Sequence, residues 1–274
     1  MPIHKLHIKQ LALFYLICFG LNQCWSVFHG LYFVAVQPIF FLNKLDLTGN
    51  LLMSTGFQQL IMNHTLVRWV LDIGFMSMPF ALYMAVIKEW KIQKAIAIFT
   101  ALFVMLYGYF FSMMSSMSIE MYIAWMLFPL LFSGKTVDAF YYRLHILRYL
   151  FVLFFFSTAL WKIRAGGIFN PEQFSAILLQ QHLPVLVSAP QYWFSELIHW
   201  VLNHPHVSFT LYLLATAIEF VFVIGFFTKK YDRILAVLLC CFLVMDYFLM
   251  EINYFPWLPF LGCLYFSRYK LSDS

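Results

Sequence analysis

Apolar runs long enough to cross about 30 Å of hydrocarbon recur along the chain, and they constrain its fold before anything else does. They occupy residues 11–34 (apolar residues continue to 42), 66–87, 92–113, 144–161, 207–227 and 234–250, with shorter runs at 119–132 and 255–266. Of the 274 residues, 63% are hydrophobic and 11% charged, whereas soluble domains carry about 25% charged residues. No sizeable soluble domain fits between the runs. The pattern predicts one all-α, polytopic membrane domain over residues 1–274, with about eight transmembrane segments, two of them short. The opening "MPIHKLHIKQ" resembles the start of a signal sequence, but no small-x-small cleavage site follows, so an uncleaved first helix is expected.

Loop charge gives an expected orientation. With the N-terminus inside and all eight runs crossing, the inner ends hold Lys5, Lys9, Lys88, Lys91, Lys94, Lys135, Arg143, Arg148, Lys229, Lys230, Arg233, Arg268 and Lys270, which is 13 of 17 basic residues. Only Lys44, Arg68, Lys162 and Arg164 fall outside. Excess Lys and Arg mark the cytoplasmic side, so both termini are expected there, in a bacterial cytoplasmic membrane. In such a chain a net charge of +5 marks topology and is no nucleic-acid signal.

The outer side is expected to carry a modest loop at 43–65 and a larger amphipathic helical insertion at 165–206. "NPEQFSAILLQQHL" places Phe174, Ile177, Leu178 and Gln181 near one helical face, with Pro171 suited to a first turn. "APQYWFSELIHWVLNH" places Trp193, Leu197, Trp200 and Val201 at helical spacing. Two helices lying on the outer surface account for both stretches, since Trp and Tyr favour a membrane interface.

Ionisable groups within spans are costly and usually face a bundle interior or a wet cavity. Asp72, Glu219 and Asp246 lie deep enough to need partners, whereas Glu120 and Glu251 fit solvated helix ends. Lys162 and Arg164 close an apolar run on the outer side, where the chain otherwise avoids positive charge. This predicts an outward polar cavity with Lys162 among the carboxylates of Asp72, Glu219 and Asp246, and Arg164 among headgroups.

Other chemistry finds little support. Cys18, Cys24, Cys240, Cys241 and Cys263 sit in apolar runs without a CxxC and are expected to be packing residues. His199, His204 and His206 form a His-x4-His-x-His cluster that Pro205 interrupts; it matches no standard metal spacing, so no metal is expected and these are weak candidates. No phosphate-loop, dinucleotide or H-E-x-x-H motif occurs. Ser157 and Thr158 are expected to bond their own backbone carbonyls, and Gly166 and Gly167 to stop their helix.

At "FFFSTALWKIRAGGIF" the chain resembles the HTTM superfamily, the membrane domain shared with vitamin K-dependent γ-carboxylases. The resemblance rests on Ser157, Ala159, Lys162 and Ile163 followed by Gly166 and Gly167, then on an outer amphipathic segment, a helix carrying Glu219, the basic turn "TKKYDR", and "YFPW" at residues 254–257. DoxX-like proteins are similar more distantly, with fewer spans. The resemblance implies the fold, and it implies that Lys162 is a candidate base acting on a reduced quinone. The chain departs from the carboxylases where they carry an Asn-His pair: "SMSIEMYIAWML" has no His and offers Glu120. Where they carry a Phe-His pair, "LVMDYF" offers Asp246. It also has no counterpart of their large extramembrane part, so glutamate carboxylation is not expected.

The leading expectation is therefore an HTTM-type membrane enzyme centred on Lys162, acting on a quinone-like lipid or a peptide at the outer leaflet. The rival is a non-catalytic partner in maturing another membrane or secreted protein, with Tyr192, Trp193 and Trp200 as docking face. A small-solute or ion transporter is third, weakened by the one-sided placement of embedded charge.

Overall fold

The structure, a computed structural model, describes residues 3–37, 39–40, 47–115, 118–134 and 136–267. Lys44, Lys135, Arg268 and Lys270, used above to orient the chain, lie outside the described residues. The helices are α1 (Ile3–Phe28), α2 (Leu47–Ser54), α3 (Phe57–Asn63), α4 (Thr65–Ile87), α5 (Gln93–Ser115), α6 (Ile123–Leu131), α7 (Val137–Arg164), α8 (Gln173–Ser188), α9 (Trp193–Leu202), α10 (Pro205–Val221), α11 (Ile224–Phe227), α12 (Asp232–Met250) and α13 (Phe260–Phe266). No strand occurs among the described residues. Among the described residues six helical stretches are long and apolar enough to span a bilayer, and Ile119–Leu131 and Phe255–Phe266 are shorter apolar ones. The protein is a multi-pass helical membrane protein.

The first run ends earlier than its apolar length suggests. α1 stops at Phe28 because Gly30 takes a left-handed conformation (φ 64°), and Leu31 N–H then bonds back to the Ser26 carbonyl at 2.9 Å. The stretch expected to be a loop at 43–65 contains α2 and α3.

The helices gather into two compact units, residues 1–145 with 255–274, and residues 146–254. In the first, α1 packs on α4, α4 on α5, and α5 on α6. Aromatic rings fill the core: Tyr15 stacks on Phe128 at 6.0 Å, and Phe19 meets Trp125 edge-on at 5.3 Å. Gly108 lets α5 approach the turn at Ile119–Tyr122, because a Cβ there would collide with the Tyr122 ring. One end of this unit collects the start of α1, the α4–α5 turn and the α6–α7 turn. There Lys5 Nζ donates to Glu89 at 2.8 Å, and Gln93 Nε2 donates to the Phe132 carbonyl at 2.8 Å. The end of α13 lies there too, with Phe266 5.4 Å from the His7 ring. α6 thus returns the chain to the start of α5, where Phe132 meets Gln93.

In the second unit, α7 and α10 run antiparallel. Arg148 is level with Gly225 and Thr228, Phe155 with Phe222 (4.6 Å between rings), and Lys162 with Glu219. α8 packs on α9, α10 and α12 around Phe174, Leu178, Phe194, Ile198 and Tyr212. The insertion at 165–206 is helical, as its pattern predicts, but α8 begins at Gln173, past Pro171. α9 buries Phe194, Ser195, Ile198 and Val201, while Trp193 and Trp200 stay half-exposed.

Candidate functional site

Lys162 lies in the last turn of α7, which ends where Gly166 turns left-handed (φ 76°). A helix ending there leaves a long cationic side chain free to reach sideways. Its Nζ donates to Glu219 Oε1 of α10 at 2.8 Å, the two side chains being 25% and 3% exposed. The same ammonium sits 5.6 Å from the centre of the Tyr212 ring, a favourable cation–π distance. Tyr212 is held by its hydroxyl's close approach to Gly167, where a Cβ would collide with it.

Asp246 of α12 lies within electrostatic reach of both Lys162 and Glu219. Glu219 Oε2 and Asp246 Oδ2 are both buried, and neither has a hydrogen-bond partner within the chain. Asp246 also lines a cavity of about 100 Å³ between α8, α10 and α12, walled by apolar side chains such as Phe174, Leu211, Ile218 and Phe242. One ammonium is therefore paired with Glu219 and lies within electrostatic reach of Asp246, which lines an apolar recess.

Asp72 is engaged elsewhere, within the first unit. Its carboxylate accepts from Tyr107 Oη (2.8 Å) and from the backbone N–H groups of Phe33 (3.2 Å) and Val34 (3.0 Å). These bonds tie the turn after α1 to α4 and α5. Phe75 stacks on Tyr107 beside it, at 4.0 Å between ring centres. Its deep placement is explained by partners that no charge pattern reveals, two of them being backbone amides.

Arg164 is exposed, its guanidinium 5.4 Å from the Trp161 ring centre. Tyr192, Trp193 and Trp200 are about half-exposed, and Trp193 also packs against Phe248 at 5.8 Å. His199, His204 and His206 are exposed; His204 Nδ1 bonds the Trp200 carbonyl at 2.7 Å. Among the described residues no group of three His, Cys, Asp or Glu side chains could hold a metal ion. Glu120 is exposed, and Ser157 and Thr158 each donate to the Phe154 carbonyl at 2.8 Å. Gly166 stops α7 as its residue type implies.

Two features escape the sequence argument. Arg148, counted there as a topology marker at an inner end, is fully buried. Its Nε and Nη2 donate to the Asp232 carboxylate at 2.9 and 2.6 Å, and it also donates to the carbonyls of Gly225 (2.8 Å) and Thr228 (3.0 Å). Those carbonyls lie at the C-terminal end of α11 (Ile224–Phe227), where no further helical turn follows to satisfy them. The signal was its position a full turn inside an apolar run. Nearby Lys229 lies outside the spans, and burial and the Arg148 charge hold its ammonium below the usual lysine range. His182 is the second. It is fully buried with Nε2 on the Leu249 carbonyl at 2.7 Å, and Nδ1 is 3.7 Å from Glu251. The i, i+4 series Phe174, Leu178, His182, Leu186 places it on the inward face of α8, where the sequence argument put Gln181.

No family model matches the chain, and neither a curated protein nor a solved structure matches it.

Proposed function

We propose that the chain is an HTTM-type membrane protein, both termini on the cytoplasmic side of a bacterial cytoplasmic membrane, whose Lys162–Glu219–Asp246 cluster acts on an amphipathic molecule entering from the outer leaflet. The observation that carries the reading is the pair of buried, unpartnered oxygens, Glu219 Oε2 and Asp246 Oδ2, beside an ammonium and an apolar recess. Buried polar atoms are nearly always satisfied, and an unsatisfied one calls for an explanation such as a catalytic role or a bound water, ion or ligand. A quinone-like lipid or an apolar peptide fits such lining, with rings or side chains in the recess and its polar end at the cluster.

In this reading Lys162 is the proton acceptor. In the neutral form of the pair, with the proton on Glu219, the Lys162 amine takes the proton of a substrate hydroxyl; the O–H bond breaks as the N–H bond forms, and the substrate oxyanion is held by the new ammonium while Glu219 keeps its proton. Asp246 anchors the substrate's donor group. The test is native mass spectrometry of the protein in lipid nanodiscs, titrated with a short-chain naphthoquinol and with an apolar peptide. At least one is expected to bind the wild type and to be lost in Lys162→Met/Glu219→Gln. Binding that is equal in both proteins overturns the reading.

A second reading has its own support. Tyr192, Trp193 and Trp200 present half-exposed rings on and beside α9, which suits docking of another membrane or secreted protein. Trp193→Ala/Trp200→Ala would then break an association that Lys162→Met leaves intact.

A further inference from the structure

The cavity between α8, α10 and α12 carries a charge imbalance that restricts what can fill it. Among the described residues Asp246 is the one acidic or basic side chain on its wall, Cys241 being a thiol. The charged groups near Asp246 are Lys162 and Glu219, and the Lys162 ammonium is already hydrogen-bonded to Glu219 at 2.8 Å. One positive charge thus serves two carboxyl groups. Asp246 Oδ2 is shielded from solvent and has no donor. As a carboxylate it is an acceptor without a donor, and as an acid it is a donor without an acceptor; both are costly within a membrane. A hydroxyl ligand would supply a donor but leave the charge. A primary ammonium supplies both, with three N–H groups.

The mouth of the cavity fixes the rest of the ligand. Leu214 and Met245 line it and are 56% and 50% exposed, on helices that are membrane spans. The opening therefore faces lipid, and a tail can run from it into the bilayer. A volume of about 100 Å³ holds the first few carbons behind the amine; an engineered apolar cavity of about 150 Å³ takes a benzene.

We propose that this cavity binds a membrane amphiphile bearing a protonated primary amine, with Asp246 as its counter-ion. The proposal rests on reading the cluster as a ligand site and narrows the ligand's chemistry.

The experiment measures binding of dodecylamine to the full chain in phosphatidylcholine nanodiscs, with empty nanodiscs as baseline. Saturable binding of one equivalent is expected, with dodecanol about tenfold weaker or more. Asp246→Asn, which keeps the side-chain volume, and Ala215→Phe, which fills the cavity and keeps the charge, should each weaken dodecylamine by about tenfold or more. Circular dichroism and gel filtration confirm that both variants fold. Displacement of dodecylamine by phosphatidylethanolamine nanodiscs would assign the amine to a lipid headgroup, and retention to a free amine; both support the proposal. Equal binding of dodecanol, or Asp246→Asn behaving as wild type, overturns it. If dodecylamine fails while a naphthoquinol or peptide still binds in a Lys162-dependent way, this inference falls and the broader reading stands.

Discussion

Arg148 and Asp232 share two hydrogen bonds of 2.9 and 2.6 Å with no solvent exposure on either side chain. The pair clamps α7 to the start of α12 while the remaining guanidinium hydrogens cap the carbonyls of Gly225 and Thr228. Removing one partner of a buried pair strands the other's charge, at about 3–5 kcal/mol. Asp232→Asn should therefore lower the unfolding midpoint sharply in a detergent denaturation series. Arg148→Met/Asp232→Leu should recover part of the loss, the rest reflecting the two uncapped carbonyls. Equal stability of Asp232→Asn and wild type would count against the clamp.

The Asp72 latch predicts a smaller and graded effect. Tyr107→Phe removes one of three donors to a carboxylate, worth about 1.5–3 kcal/mol for a charged hydrogen bond. Asp72→Ala strips a partner from the Tyr107 hydroxyl and from two backbone amides at once, and should cost more. Hydrogen exchange at Phe33 and Val34 is the direct readout: fast in Asp72→Ala, and close to wild type in Tyr107→Phe.

Gly108→Ala tests the close approach of α5 to the Ile119–Tyr122 turn. The new methyl group would collide with the Tyr122 ring, so overpacking of about 1–3 kcal/mol is expected. Gly56→Ala offers a contrast, since no side chain stands near its Cβ position and its cost comes from a left-handed backbone (φ 74°). Tyr122→Ala should recover part of the Gly108→Ala loss, since the Cβ at position 122 itself still stands close, and leave Gly56→Ala unchanged.

The exposed Lys5–Glu89 contact gives a pH signature at one end of the first unit. The Lys5 ammonium, by hydrogen bond and charge, holds the Glu89 carboxyl below the usual glutamate range. A carboxyl depressed in the folded state contributes stability that is in place above its unfolded pKa and is lost as pH falls through the folded value. The stability gap between wild type and Glu89→Gln should therefore close between about pH 6 and about pH 3, and should shrink in high salt. A gap that widens on acidification would contradict the assignment.

The membrane spans are legible in the sequence because hydrocarbon demands apolar residues whatever the helix packs against. The shorter apolar runs at 119–132 and 255–266 also fold as apolar helical segments. The inward faces are less legible for the same reason, since lipid and protein neighbours ask for the same side chains and the helical period fades. Trp193 and Trp200 mark a period that α9 turns outward, whereas Phe194 and Ile198 carry the packing. Lys162, Glu219 and Asp246 stand out because embedded charge is expensive; the structure pairs the first two and leaves Asp246 within their electrostatic reach. Asp72 stands out for the same reason but is satisfied by backbone, which leaves no trace in residue type. Arg148 was hidden by its neighbours: three basic side chains near one end of a run look like a headgroup cluster until one is seen to be buried.

The central claim is that the Lys162–Glu219 pair serves a ligand and not the fold. Replacing both charges by apolar groups of similar size, in Lys162→Met/Glu219→Leu, separates the two, because exchanging a buried ion pair for apolar side chains is often neutral or stabilising. The measurement is native mass spectrometry of this variant and the wild type from the same nanodiscs, with the unfolding midpoint taken on both. The claim predicts an unchanged or raised midpoint together with loss of the bound amphiphile. A variant that retains the amphiphile at wild-type occupancy would contradict it.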